Sequence, residues 1–231
     1  MASLLWRRNE EKRSCRRGSS GPIITAAICR LNSLRRINFG PGTVITREVK
    51  EILKHNLQDT ISLLARTPAA LDALLRELPE TWTFRNEGEN TWSAFDVVGH
   101  LIHGERADWL PRAKRILQFG ETRPFEPFDR LAQTRESQGK SLAQLLDEFA
   151  RLRSKNLVDL RAMNLREEVL ALRGRHPALG VVTLSELLAT WAAHDLTHLH
   201  QVSRIMAHQY REVVGPWAAF LGVMQCAGHS A

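Results

Sequence analysis

Cysteine and tyrosine are scarce in this chain, with three Cys and one Tyr in 231 residues. Cys15 and Cys29 fall near its start and Cys226 near its end, with no CxxC pair. Disulfides are therefore not implied, and a reducing cytoplasm is the expected compartment. No cysteine stands beside a histidine motif, which argues against a Cys nucleophile. Apolar runs are short as well. None approaches the ~18–20 residues that span a bilayer, so no membrane partner is expected. There is no internal repeat, no Ser-His-Asp order and no paired-carboxylate spacing of the kind that marks a general acid–base site.

Charge is present but unevenly placed. The net charge is +7. Residues 1–43 carry Arg7, Arg8, Lys12, Arg13, Arg16, Arg17, Arg30, Arg35 and Arg36 against only Glu10 and Glu11. That segment accounts for the whole excess, and residues 44–231 are balanced. A basic nucleic-acid-binding face is thus not supported for the folded part. Residues 1–43 mix Arg, Ser, Gly and Pro without helical periodicity and read as a disordered basic tail. An organelle-targeting peptide fits this composition. A secretion signal fits less well, because the apolar run Pro22–Ile28 is short and Ile28 before Cys29 is wrong for lipoprotein cleavage. The preferred expectation is upstream sequence translated from a misassigned start, with Val44 as a candidate initiator. The expected domain is 44–231, long enough to bury a sizeable core.

Within that domain the apolar periodicity is helical. Val49, Ile52, Leu53, Leu57, Ile61 and Leu64 mark one amphipathic stretch across residues 44–78, broken at Thr67-Pro68, where Thr67 can cap and Pro68 can open a continuing helix. Ser93 with Asp96 forms a capping-box variant with Trp92 and Val97 as its staple, and Pro111 should kink the helix that follows. Ser141 with Gln144 opens a third helix along Leu142, Leu145, Leu146, Phe149, Leu152, Leu157 and Leu160. Thr183 with Glu186 opens the fourth, with Val182 and Leu187 as its staple. Four long helices and no convincing strand predict an all-α, antiparallel-type four-helix bundle, an architecture whose core commonly holds metal sites.

The fourth helix carries the most informative feature, His194 and His198. Residues four apart lie one turn above each other, so two imidazoles there can grip one ion. Leu184, Leu187, Leu188, Trp191, Val202 and Ile205 define the core-facing stripe, and both histidines fall within it, whereas His200 falls opposite and reads as solvated. A single core histidine usually bonds a backbone carbonyl. Two in one buried stripe each need a polar partner, and a shared metal supplies both. Asp195 lies in the same stripe, placed either to orient an imidazole or to cap a buried polar group. On the second helix, His100 lies away from the direction set by Phe95, Val98, Ile102, Trp109 and Ile116, beside Val97, Gly104 and Ala107. Periodicity does not place it in the core.

The run Trp92-Ser93 through Val97-Val98-Gly99-His100-Leu101, the turn His176-Pro177-Ala178-Leu179-Gly180 and the later His194-Asp195-Leu196-Thr197-His198-Leu199 together resemble the DinB/YfiT-like superfamily. The likeness runs from Thr46 to Tyr210. It implies a four-helix bundle in which one His of the second helix and a His-x-x-x-His pair of the fourth bind a divalent metal, hence His100, His194 and His198. It further implies a metal-dependent hydrolase or thiol S-transferase acting on a small molecule, with a low-molecular-weight thiol as one candidate. The alternative is a non-catalytic metal- or ligand-binding bundle. Homodimerisation stays open. Three imidazoles suit Zn, Ni, Fe and Cu alike. His103, one turn from His100, and Glu105 are proton-transfer candidates, with Asp195 a third. The stretch from Gln118 to Lys140, between the second and third helices, is long for a bundle connection. Its Phe119, Phe125, Phe128, Arg123 and Arg130 read either as a lid with an arginine for an anionic group or, preferably, as aromatics pinning a crossover.

Overall fold

The computed structural model of the chain describes residues 55–226. Expectations for residues 1–43, and for Val49, Ile52 and Leu53, lie outside the described residues.

Helices α1 (Leu57–Leu64) and α2 (Thr67–Leu75) form the first bundle member, followed by a short turn of helix, α3 (Glu80–Thr83). The break falls at Ala65 and Arg66. Thr67 is the first helical residue rather than the cap, and Pro68 sits in the first turn, where its missing N–H costs nothing. The second member is α4 (Ala94–Ala107) running into α5 (Trp109–Phe119). The expected kink occurs three residues before Pro111, at Asp108, because a proline ring clashes with the carbonyl four residues earlier, here that of Ala107. The third and fourth members are α7 (Leu142–Ala162) and, later, α9 (Leu184–His208), with the short helix α6 (Ala132–Ser137) preceding α7 and α8 (Glu167–Leu170) following it. All three expected capping boxes form, at Ser93, Ser141 and Thr183; a side-chain cap of this kind contributes about 1 kcal/mol to a helix. A six-residue 3-10 turn, Gly215–Phe220, and α10 (Gly222–Gln225) close the described chain.

One element was not expected. Strands β1 (Arg173–His176) and β2 (Gly180–Thr183) pair antiparallel just before α9. Each is four residues long, too short for a period-two pattern to stand out, and the turn between them needs Gly180 at φ +78°. The long connection lies against this hairpin, with Phe125 N–H donating to Arg175 O at 2.9 Å. Gly174 lets the hairpin lie close on α5, since a Cβ there would sit 2.6 Å from Ile116 Cγ1.

The core is divided in two. One apolar cluster joins Leu64, Trp109, Ile116, Phe125, Leu157, Leu160, Leu188 and Trp191. The other joins Leu71, Leu75, Val98, Ile102, Leu146, Phe149 and Val202. Between them, each long helix turns a polar group inward: Glu105 from α4, Arg153 and Asn156 from α7, Asp195, His198 and Gln201 from α9, all buried. Full burial of a large apolar side chain stabilises by about 1.5–3 kcal/mol, so interrupting both clusters at one level calls for compensating polar contacts.

Candidate metal centre

His194 and His198 project from α9 and His100 from α4 so that their Nε2 atoms converge. His194 Nε2 lies 3.1 Å from His100 Nε2 and 3.0 Å from His198 Nε2. The three rings pack at mutual centroid distances of 5.2, 4.7 and 4.3 Å. His100 and His198 are buried and His194 is half-buried. The burial of His100 corrects the flat-face reading of α4. That face is covered by the connection, where α6 approaches so closely that a Cβ on Gly99 would lie 2.5 Å from Ser137 Oγ.

Protons alone cannot satisfy this cluster. Gln133 Oε1 accepts from His100 Nδ1 at 2.9 Å, and Gln201 Oε1 accepts from His198 Nδ1 at 2.7 Å. Both rings then present Nε2 lone pairs to His194, which has one proton to offer at most. Charging the rings is no escape. Burial and the neighbouring imidazoles push His100 down to about 3 and His194 down to about 2, and burial lowers His198 as well. Three neutral nitrogens facing one point are a donor set for a divalent cation. Tetrahedral ligands at about 2.0–2.1 Å from zinc stand about 3.3 Å apart, close to the separations seen. The three histidines could hold such an ion.

The surroundings hold the rings in place. Trp92 lies 4.8 Å from the His100 ring and stacks at 6.2 Å on that of His198. The edge of Trp109 meets His194 at 5.0 Å, and Phe128 meets His100 at 5.6 Å. Of the aromatics on the long connection, Phe125 is buried in the core, as a pinned crossover requires, while Phe128 lines the cleft. Above the histidines opens a cleft of about 460 Å³, bounded by Trp92, Phe128, Asp108, Arg112, Arg130 and His176 among others.

The remaining candidates are placed elsewhere. Asp195 points away from the imidazoles to Arg153, with Nη1–Oδ2 at 2.5 Å and Nη2–Oδ1 at 3.0 Å. Glu105 accepts from the same guanidinium at 2.9 Å, from Asn156 Nδ2 at 3.0 Å and from Trp191 Nε1 at 3.0 Å. Burial raises the Glu105 carboxyl against the opposing effect of Arg153. Neither carboxylate lines the cleft. His103 is buried, bonded through Nδ1 to Glu136 at 3.1 Å and packed on Phe128. His200 is exposed, as expected.

Sequence reading missed Arg153, Gln201 and Gln133. Arg153 had a signal, a charged residue at the core position between Phe149 and Leu157. Gln201, three residues after His198, had a weaker one. Gln133 had none, being 33 residues from the ring it bonds.

Three inward imidazoles under an open cleft in a helical bundle make a candidate metal site. Residues 63–202 match the DinB superfamily, and the chain belongs to it. Among solved structures, YfiT from Bacillus subtilis, described as a probable metal-dependent hydrolase with an unusual four-helix bundle topology, is similar. The two share 19% sequence identity over 76% of this chain and 94% of YfiT, with a TM-score of 0.57. At that identity the likeness concerns the fold. Curated protein sequences contain no significant match.

Proposed function

We propose that the protein is a metal-dependent hydrolase of a small molecule, with His100, His194 and His198 as the metal ligands. The observation that carries this reading is the convergence of three neutral Nε2 atoms beneath an open cleft. Three protein ligands, not four, are the donor set of catalytic rather than structural sites. The site therefore favours turnover over storage. When bound, a divalent ion in such a site supplies a Lewis acid and acidifies coordinated water. Zn, Ni and Fe all accept this donor set.

The chain's own residues do the rest. Gln133 and Gln201 hold two imidazoles in the tautomer that turns Nε2 toward the ion. Trp92 and Phe128 restrict water around them. Glu105 and Asp195 are committed to Arg153, so their role is to position α4, α7 and α9. Proton transfer falls instead to Asp108, which lines the cleft at the helix break. Burial raises its carboxyl above the usual range, although Arg112 Nε lies 2.6 Å away and works against the shift. Such a group, facing the cleft, is suited to exchange a proton with a bound substrate. The cytoplasm is the proposed compartment, on the cysteine pattern; among the described residues no helix is long and apolar enough to cross a membrane.

The test is a substrate screen on the full chain loaded with Zn, Ni or Fe, with elemental analysis alongside. Metal-dependent hydrolysis of an ester or amide, abolished in His194→Ala, is the expected result. Asp108→Asn should lower kcat while metal content is kept. A product carrying a low-molecular-weight thiol in place of water would make the protein an S-transferase. Stoichiometric metal without turnover of any substrate would leave a binding protein.

A further inference from the structure

The charged groups around the cleft are unevenly paired. Asp108, its one carboxylate, is engaged by Arg112. On the long connection, Glu126 is taken by Arg115 at 3.0 Å and Asp129 by Arg135 at 2.5 Å. Glu121 faces Arg173 and Arg175 at 3.2 and 3.6 Å. Arg130 stands on the same segment, lines the cleft, and has no carboxylate partner among the described residues. Its charge reaches His100, where it opposes protonation.

A second donor comes from the hairpin. His176 Nδ1 accepts from Ala178 N–H and Leu179 N–H, both at 3.1 Å. With Nδ1 committed to the turn, the neutral ring carries its hydrogen on Nε2. His176 lines the same cleft as Arg130. The two segments are joined side by side by the Phe125–Arg175 hydrogen bond.

We propose that this wall is an oxyanion-recognition subsite: the substrate carries a carboxylate or phosphate group, received by Arg130 and by His176 Nε2–H, while its apolar part lies against Trp92 and Phe128. The inference rests on the metal-dependent reading for the reaction that follows, but not for the binding. A guanidinium matches either oxyanion in geometry and charge. Substrates that are neutral throughout are then poor ligands, whatever bond is cleaved.

Benzoate and phenyl phosphate, with neutral benzamide as the control, test the subsite by calorimetric titration of the full chain, metal-free and zinc-loaded. Both anions are expected to bind at least about tenfold more tightly than benzamide, the worth of one charge-assisted hydrogen bond. Arg130→Gln should remove that preference in the metal-free chain, where no ion can substitute for the arginine. His176→Asn keeps a side-chain acceptor for the turn and deletes the ring N–H, so it should weaken anion binding with an unchanged melting temperature. The stronger of the two anions identifies the group. Equal affinity for benzamide and the anions, or an undiminished preference in Arg130→Gln, overturns the proposal; wild-type affinity in His176→Asn overturns the histidine contact. Zinc stoichiometry measured on the same samples reports separately on the metal centre.

Discussion

Arg153 and Asp195 meet through two hydrogen bonds in the middle of the bundle, one residue along α9 from His194. Adjacent helical residues point about 100° apart. His194 can therefore face the cleft while Asp195 faces α7. With Glu105 the pair forms a buried ion triad that ties α4, α7 and α9 together, and Arg153 Nη1 also donates to Leu64 O of α1 at 2.8 Å. The candidate metal centre adjoins this layer, since α4 and α9 also carry the three imidazoles.

Removing the arginine leaves two carboxylates buried without a counter-charge. Arg153→Met should destabilise the fold by about 3–5 kcal/mol, measured by urea unfolding at pH 7. Replacing Glu105, Arg153 and Asp195 together by apolar residues of similar volume should restore much of that loss. If the single variant unfolds at the wild-type midpoint, the triad does not hold the helices.

Metal removal and histidine replacement should act on stability in opposite senses. Adding Zn or Ni at a hundredfold excess over Kd should raise stability by about 2.7 kcal/mol, seen as a higher Tm. Any one of His100→Ala, His194→Ala or His198→Ala should sharply reduce bound metal. The double change of His194 and His198 to Leu should abolish the metal effect, yet leave the metal-free protein at least as stable as metal-free wild type, because facing lone pairs are replaced by apolar contact. Stoichiometric metal in the triple Ala variant would place the ion elsewhere.

Acid should destabilise the metal-free protein through the same rings. Unfolded, each histidine takes up a proton near its ordinary value of 6.5; folded, His100 waits until about 3 and His194 until about 2, with His198 also lowered. The unfolded state then binds more protons below 6.5, so stability present above that pH is lost as pH falls toward the folded values. The slope approaches about 1.4 kcal/mol per pH unit for each histidine. Urea midpoints between pH 7.5 and 5 should show it. The slope should flatten in the double Leu variant; an equal slope there would assign the acid sensitivity to other groups.

The glutamines should matter for affinity rather than folding. Gln133→Leu and Gln201→Leu remove the acceptors that hold His100 and His198, and loss of such an outer partner typically weakens a metal site by about 10–100-fold. Competition against a chromogenic chelator measures this. Unchanged affinity with an unchanged Tm would show that ring packing by Trp92 and Phe128 orients the imidazoles unaided.

What could be read in advance followed from how local each signal is. Capping boxes span four residues, so Ser93, Ser141 and Thr183 were legible as helix starts. His194 and His198 were legible because their relation is a single helical turn. The hairpin was not, since strands of four residues carry too little pattern. Pro111 announced a kink, but the break appears at Asp108 because proline acts on the carbonyl of the turn before it.

By itself the sequence determined the helices, their apolar faces and the paired imidazoles, all set by spacing along one chain segment. His100 entered the site in advance only through resemblance. The tertiary structure decided the rest: that α6 covers the flat face of α4, that Gln133 reaches His100, that Asp195 turns to Arg153, and that Arg130 and His176 share one cleft. These relations join residues distant in sequence, and their energies depend on burial, which only the packed bundle creates.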